Sequence, residues 1–225
     1  MVSAIVLAAG AGKRLKSAVS KPLIKIGNRE AIIYSLQVLS KHPDIDEIIV
    51  VVSASNQKLI RKTVESYSFK KIKNFVLGGN RRQDSVYNGL KAVDFKSDFI
   101  LIHDAARPFI DNRLVAKVIQ AAKRSGSAIL GVPVKATIKR VKENGRVDKT
   151  LDRNNLWEIQ TPQVFKKELI LKAYKKFLKN DVTDDAALIE KLGKVVKIVL
   201  GSYKNIKITT YDDLMFAQAI CRSKS

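Results

Sequence analysis

Short apolar runs alternate with segments of helical periodicity through the first half of this 225-residue chain. The runs resemble buried strands and lie at 5–7, 47–52, 73–77 and 99–102. Helical segments are predicted at 31–41, 56–67, 84–93 and 112–124. Strands that alternate with helices favour right-handed crossovers and a mostly parallel sheet with helices on both faces. The sequence therefore predicts a Rossmann-like α/β fold, and we expect one domain over 1–225.

The pattern changes after residue 128. A core strand is predicted at 129–134, and the next segment alternates polar and apolar residues around Glu143-Asn144-Gly145, a sequence typical of a hairpin turn. We interpret 134–157 as a β-arm that projects from the sheet. Exposed strand edges need a covering partner, so the arm predicts a homodimer. The remaining elements are predicted helices at 166–178, 184–192 and 211–219 and predicted strands at 195–200 and 206–209.

The loop after the first strand combines small residues with positive charge. Between Ala8 and Gly12 there is little side-chain bulk, so backbone N–H groups can approach a ligand closely, and Arg14 and Lys21 supply cations. The spacing is not that of a Walker A loop, because Leu7 and Arg14 stand where that loop needs Gly and Ser or Thr. The third glycine of a dinucleotide fingerprint is also missing. The loop is therefore either another kind of nucleotide loop or a simple glycine-rich turn.

Further polar loops follow the third and fourth predicted strands. A second glycine pair opens the segment 78–86, and His103-Asp104 opens the segment 103–108. Ligands of open parallel sheets bind beyond the carboxyl ends of the strands, so these loops should converge, with Lys207 nearby. One acid and several cations suit phosphoryl or nucleotidyl transfer, in which Asp104 would hold Mg²⁺. His103 has an alternative reading as a satisfied core histidine.

The overall charge favours anionic partners. The chain has 42 Lys and Arg against 21 Asp and Glu, a formal net charge of +21. Phosphorylated small molecules and nucleic acids both fit this charge. The lysines are spread along the chain without a long basic run, which favours small molecules. No apolar run approaches the ~20 residues of a membrane span, and no signal segment is evident, so we expect a cytoplasmic protein that binds neither membrane nor nucleic acid.

Six motifs of this chain match those of one known family. They are Leu7-Ala8-Ala9-Gly10-x-Gly12-x-Arg14, Gly78-Gly79 with Arg82-x-x-Ser85-Val86, His103-Asp104-Ala105-Ala106-Arg107-Pro108, Asp152-Arg153-Asn154 through Thr161-Pro162-Gln163, Thr183-Asp184-Asp185 and Asn205-Ile206-Lys207. In these motifs the chain resembles the 2-C-methyl-D-erythritol 4-phosphate cytidylyltransferases, CTP-dependent enzymes of the non-mevalonate isoprenoid pathway. The resemblance runs nearly end to end.

The resemblance implies a role for each matching position. CTP would contact the backbone of Ala8, Ala9, Gly10 and Gly12, and its cytosine would be read by Gly79, Asn80 and Ser85. Asp104 would bind Mg²⁺ or another divalent cation, and Arg14, Lys21 and Lys207 would neutralise the α-phosphate. Methylerythritol phosphate would be held by Arg107, Thr137, Arg153 and Thr183, with Thr137 and Arg153 offered by the arm of the neighbouring subunit.

The implied reaction is direct in-line attack of the acceptor phosphate on the α-phosphorus of CTP, with release of pyrophosphate. Two alternatives stay open. A nucleotidyltransferase acting on ribitol 5-phosphate or a sugar phosphate would keep the fold and change the acceptor. A basic nucleic-acid-binding protein would explain the charge of +21 without using the motifs.

Overall fold

The computed structural model describes residues 1–10 and 20–223. In that part of the chain the strands are β1 (Val2–Leu7), β2 (Lys25–Ile26), β3 (Arg29–Glu30), β4 (Glu47–Val52), β5 (Ile72–Leu77), β6 (Phe99–Asp104), β7 (Ser127–Pro133), β8 (Ile138–Val141), β9 (Val147–Leu151), β10 (Trp157–Lys166) and β11 (Lys197–Leu200). The α-helices are α1 (Ala31–Lys41), α2 (Gln57–Glu65), α3 (Arg82–Ala92), α4 (Asn112–Ser125), α5 (Lys167–Phe177), α6 (Ala186–Lys191) and α7 (Tyr211–Arg222), and a short 3₁₀ helix spans Lys21–Leu23.

The central sheet has seven strands in the order β11-β7-β10-β6-β1-β4-β5. Neighbouring strands run parallel except at β10, which is antiparallel to both β6 and β7. The predicted mostly parallel α/β sheet is therefore confirmed. The sequence did not predict β10, because polar residues such as Gln160, Thr161 and Gln163 interrupt its apolar pattern. Insertion between two core strands gives this segment its strand conformation.

Helices cover both faces of the sheet, as predicted. Side chains alternate along β1, so Ala4 and Val6 join one apolar cluster and Ile5 joins the other. The first cluster includes α1, α2 and α4, and the second includes α3, α5 and α6. The central strands are thus buried on both sides, which explains their nearly continuous apolar sequences.

The register of the parallel strands brings several loops to one edge of the sheet. Leu7, the last residue of β1, pairs with Asp104 at the end of β6 on one side and with Val51 of β4 on the other. β5 extends this row, because its last residue Leu77 pairs with Val52. The loops that follow β1, β5 and β6 therefore emerge side by side, where an open parallel sheet binds ligands.

Two predictions for the second half of the chain have different outcomes. The hairpin is confirmed, because β8 and β9 pair antiparallel within 134–157 and residues 139–150 are all exposed. The strand predicted at 206–209 is wrong, since this segment joins no ladder. Its apolar residue Ile208 is fully buried, and its N–H donates to the carbonyl of Ala106 at 2.9 Å. Burial in a small apolar cluster with Ile26 and Phe109, and not strand pairing, accounts for the apolar pattern.

Candidate active site

A cavity of about 610 Å³ opens where the loops after β1, β5 and β6 meet. Eight residues predicted for the site line it, namely Ala9, Gly10, Lys21, Gly79, Asn80, Ser85, Asp104 and Lys207. They come from five separate stretches of sequence and from both glycine-bearing loops. The convergence predicted from the strand ends is thus present in the described part of the chain.

The second glycine loop is folded tightly onto the first turn of α3. A Cβ atom on Gly79 would lie 2.4 Å from the Cβ of Asp84, so no larger residue fits without a shift of the backbone. The Gly79 N–H donates to the Ser85 hydroxyl at 3.1 Å, and the Arg81 N–H donates to the Asp84 carboxylate at 3.0 Å. This loop therefore presents backbone and small side chains to the cavity in a defined geometry.

Asp104 is the charged centre of the cavity. Lys207 Nζ lies 2.6 Å from one carboxylate oxygen, and Arg82 Nε lies 3.5 Å from the other. Burial alone would raise the pKa of Asp104, but the charges of Arg82 and Lys207 outweigh this effect and hold the pKa well below its usual range. The carboxylate is therefore ionised throughout the physiological pH range.

A second, deeper carboxylate lies behind Arg82. Arg82 Nη1 donates to Asp185 at 2.8 Å, and the hydroxyl of Tyr174 donates to the other oxygen of Asp185 at 2.6 Å. Burial alone would lower the pKa of Arg82, yet the attraction of Asp185 and Asp104 raises it. Sequence reasoning assigned no role to Arg82 or Asp185, although both lie in the matching motifs, because 103 positions separate them along the chain.

The site offers one carboxylate to a divalent cation. No group of three or more His, Cys, Asp or Glu side chains is placed to hold a metal within residues 1–10 and 20–223. Mg²⁺ is often bound by one or two carboxylates together with substrate phosphates. Asp104 fits this mode, since it is ionised and lines the cavity, and only one of its oxygens is taken by the ion pair with Lys207.

Two predicted site residues lie beneath the cavity. Ala8 is fully buried, and its carbonyl accepts a hydrogen bond from the Asn56 side chain at 2.9 Å. Arg107 is buried, and its guanidinium donates to the carbonyls of Asn205 at 2.8 Å and Ile159 at 3.2 Å. An acceptor-binding role for Arg107 stays a prediction that requires its guanidinium to leave these carbonyls.

His103 is a core histidine. Its Nδ1 lies 3.1 Å from the Thr161 hydroxyl and its Nε2 lies 3.2 Å from the carbonyl of Arg107. Burial lowers its pKa to about 4, so the ring is neutral at pH 7. This arrangement confirms the alternative reading made from the sequence.

The other predicted residues do not line this cavity. Thr137, Arg153 and Thr183 are exposed, and Arg153 donates to the carbonyl of Lys135 at the base of the arm. Within a single chain, the described residues thus bring together the nucleotide half of the predicted site without the acceptor half. Gly12 and Arg14 lie outside the described residues.

A mostly parallel sheet whose strand ends present glycine loops, cations and an ionised carboxylate to one cavity defines an α/β enzyme of the nucleotidyltransferase class. The family model for 2-C-methyl-D-erythritol 4-phosphate cytidylyltransferase matches residues 2–223. The chain belongs to this family and is thus a CTP-dependent transferase of the non-mevalonate isoprenoid pathway.

Individual relatives agree with this assignment. The cytidylyltransferase of that name from Syntrophus aciditrophicus is 44% identical over 226 residues, 99% of this chain and 97% of the relative. The Clostridioides difficile enzyme of the same name is 44% identical over 98% of this chain and 93% of its own length. The crystal structure of 4-diphosphocytidyl-2C-methyl-D-erythritol synthase from Anaerococcus prevotii superposes with a TM-score of 0.87 at 38% identity, covering 98% of this chain and 96% of that one.

None of the described helices is both long enough and apolar enough to cross a membrane.

Proposed function

We propose that this protein transfers the cytidylyl group of CTP to 2-C-methyl-D-erythritol 4-phosphate, giving 4-diphosphocytidyl-2-C-methyl-D-erythritol and pyrophosphate. The observation that carries the proposal is the meeting of Lys21, Lys207 and Asp104 with two glycine-bearing loops around one cavity. The match of the chain to the family over residues 2–223 supports the choice of nucleotide and acceptor.

CTP binding is assigned to the two glycine-bearing loops. Gly79, Asn80 and Ser85 would read cytosine, because the folded-back loop offers backbone groups and a hydroxyl at the cavity wall. The triphosphate would lie along the loop after β1, against Ala9 and Gly10, and Gly12 is assigned to the same contact. Ala8 would support this loop from beneath, because its N–H and carbonyl are bonded to Val51 and Asn56.

Catalysis is assigned to positive charge and positioning. The acceptor is a phosphate monoester and is already ionised near neutral pH, so no side-chain nucleophile is needed. The difficulty lies in bringing two anions together and stabilising a crowded five-coordinate phosphorus. Arg14, Lys21 and Lys207 would neutralise the α-phosphate during in-line attack. Loss of one such cation typically lowers the rate by about 10² to 10³.

Asp104 is the residue that would hold a divalent cation, for which we propose Mg²⁺. When bound, Mg²⁺ would neutralise phosphate charge and orient the leaving pyrophosphate. Lys207 pairs with one oxygen of the same carboxylate at 2.6 Å, so Asp104 would hold the divalent cation and position Lys207 beside it.

Acceptor binding is assigned to a site shared between two subunits. Thr137 and Arg153 lie at the base of the exposed arm, outside the cavity of their own chain, and a neighbouring subunit could receive them. Arg107 and Thr183 would complete the contacts to methylerythritol phosphate. We therefore propose a homodimer with exchanged arms, in which each active site takes Thr137 and Arg153 from the partner.

Pyrophosphate release tests the reaction. The purified protein is incubated with CTP and Mg²⁺, and methylerythritol phosphate is compared with ribitol 5-phosphate as acceptor. Release with methylerythritol phosphate alone is expected. Release with ribitol 5-phosphate alone would keep the mechanism and replace the acceptor, whereas no release with either would refute the transferase assignment.

Subunit complementation tests the shared site. Lys21→Ala impairs the CTP side and Arg153→Ala impairs the arm side, so each homodimer should be inactive. After subunit exchange at equal concentrations, half of the dimers carry one intact site, and roughly a quarter of the wild-type activity should return. Lys21→Ala mixed with Lys207→Ala is the matched control, because both changes affect the CTP side and no site is restored. Equal behaviour of the two mixtures would refute arm exchange.

A further inference from the structure

Arg82 lies between two carboxylates at unequal distances. Its Nη1 is 2.8 Å from Asp185, within hydrogen-bond range, whereas its Nε is 3.5 Å from Asp104, an ion pair longer than a charge-assisted hydrogen bond. The guanidinium thus attracts the Asp104 carboxylate electrostatically without making a close hydrogen bond to its nearer oxygen. Arg82 is also the first residue of α3, so its backbone is held by the helix.

Asp185 is built as a rigid anchor. Its side chain is 1% exposed, and both oxygens are occupied, one by Arg82 and the other by the hydroxyl of Tyr174. Tyr174 is itself fully buried and stacks on Tyr87 with ring centroids 6.0 Å apart. A carboxylate held in this way can fix the position of a flexible arginine side chain.

We propose that Asp185 is a positioning residue that restrains Arg82 so that Asp104 keeps one oxygen available for the divalent cation. The inference rests on the proposed function, since it concerns the same Asp104. Without the charge of Asp185, Arg82 would be attracted to Asp104 alone and would close to hydrogen-bond distance. The cation would then have to displace Arg82 from that oxygen, while Lys207 keeps its contact with the other one.

Asp185→Asn tests this restraint, because it removes the charge while it keeps the volume and an oxygen for Tyr174. The Mg²⁺ concentration for half-maximal activity should rise about tenfold, since an additional charge-assisted hydrogen bond must break, while kcat at saturating Mg²⁺ stays within about twofold. Calorimetric titration of Mg²⁺ into the protein with CTP and no acceptor should report the same loss of affinity. Asp184→Asn is the matched control, since this neighbouring carboxylate contacts Gln163 and not Arg82.

A double variant shows whether Asp185 acts by restraining Arg82 or only by stabilising the fold. In Asp185→Asn/Arg82→Gln no arginine remains to close on Asp104, and the buried pair is neutral, so Mg²⁺ affinity should return to the wild-type value or exceed it. Thermal unfolding monitors the fold of each variant. Should Asp185→Asn not fold, the double variant and Tyr174→Phe replace it, and Tyr174→Phe should weaken Mg²⁺ binding because Asp185 is less firmly held.

Unchanged Mg²⁺ affinity in Asp185→Asn would overturn the inference, and so would a loss that persists in the double variant. Wild-type pyrophosphate release is measured alongside. If the wild-type protein releases none, the proposed function fails, whereas an active wild type with equal Mg²⁺ dependence in all variants refutes only the restraint.

Discussion

Replacing Lys207 with methionine removes the cation that touches Asp104 at 2.6 Å and keeps an unbranched side chain of similar length. If Lys207 stabilises charge on the α-phosphate, kcat should fall by about 10² to 10³, the usual cost of losing one such group. This loss corresponds to about 2.7 to 4 kcal/mol of transition-state stabilisation. The affinity for Mg²⁺ should rise, because Asp104 loses its competing ammonium partner.

The same substitution should cost little stability. Loss of one partner from a fully buried pair costs about 3 to 5 kcal/mol, because a charge is left uncompensated. The Lys207 side chain is 39% exposed, so solvent screens its charge, and Asp104 keeps Arg82 as a partner. We therefore expect a loss of about 1 kcal/mol, equivalent to roughly 2 to 4 °C in the melting temperature of a chain of this size.

Three measurements separate the two effects: pyrophosphate release at saturating CTP and acceptor, calorimetric binding of Mg²⁺ with CTP, and thermal unfolding. Lys204→Met is the matched control, because this exposed lysine precedes Lys207 in the same loop and does not line the cavity. A wild-type rate in Lys207→Met would refute the catalytic role. A large loss of stability with proportionate loss of activity would show instead that Lys207 is mainly structural.

Three further perturbations test other parts of the molecule. Lys21→Ala should remain folded and lower turnover by about 10² to 10³, and a wild-type rate would contradict its role as a phosphate-neutralising cation. Gly79→Ala places a Cβ atom 2.4 Å from that of Asp84 and should weaken calorimetric CTP binding by about tenfold or more, since the loop must shift; unchanged affinity would contradict the assignment of this loop to cytosine. Burial lowers the pKa of His42, whose Nδ1 accepts a hydrogen bond from the Asp44 N–H. The folded state therefore favours the neutral ring, so the stability that His42 contributes is present above its ordinary pKa of 6.5 and is lost as the pH falls below that value. The melting temperature should fall less between pH 7.5 and pH 5 in His42→Gln than in the wild type, and an equal fall would contradict this reasoning.

The sequence predicts those elements whose burial leaves a clear pattern. β4 is buried at every position, and its predicted bounds are those observed. The predicted bounds of α1 are also those observed, although only one face of this helix is buried. β10 escapes prediction because its polar residues are accommodated by specific partners, such as the contact of Gln163 with Asp184. An apolar pattern can also predict a strand where none forms, since 206–209 contains buried residues without strand pairing.

Some residues of the candidate site could be predicted from the sequence and others could not. Asp104 and the glycine pair at 78–79 were predictable, because strand ends in a parallel sheet face a common crevice. The link between Arg82 and Asp185 was not, since no local spacing relates two residues that meet only after α3 and α6 have packed on the same face. Sequence reasoning thus finds the groups that face the ligand more readily than the groups that hold them.

The motif 103–108 illustrates why residues of a functional motif need not touch the ligand. The Asp104 N–H donates to the Thr161 hydroxyl at 3.0 Å, and that hydroxyl lies 3.1 Å from His103. The other ring nitrogen of His103 lies beside the carbonyl of Arg107, and the Arg107 guanidinium donates to the carbonyl of Asn205, two residues before Lys207. The backbones that carry the two oppositely charged groups are therefore joined by a buried polar chain. Because a buried network of this kind is costly to break at any point, it fixes the backbones of Asp104 and Lys207 relative to each other.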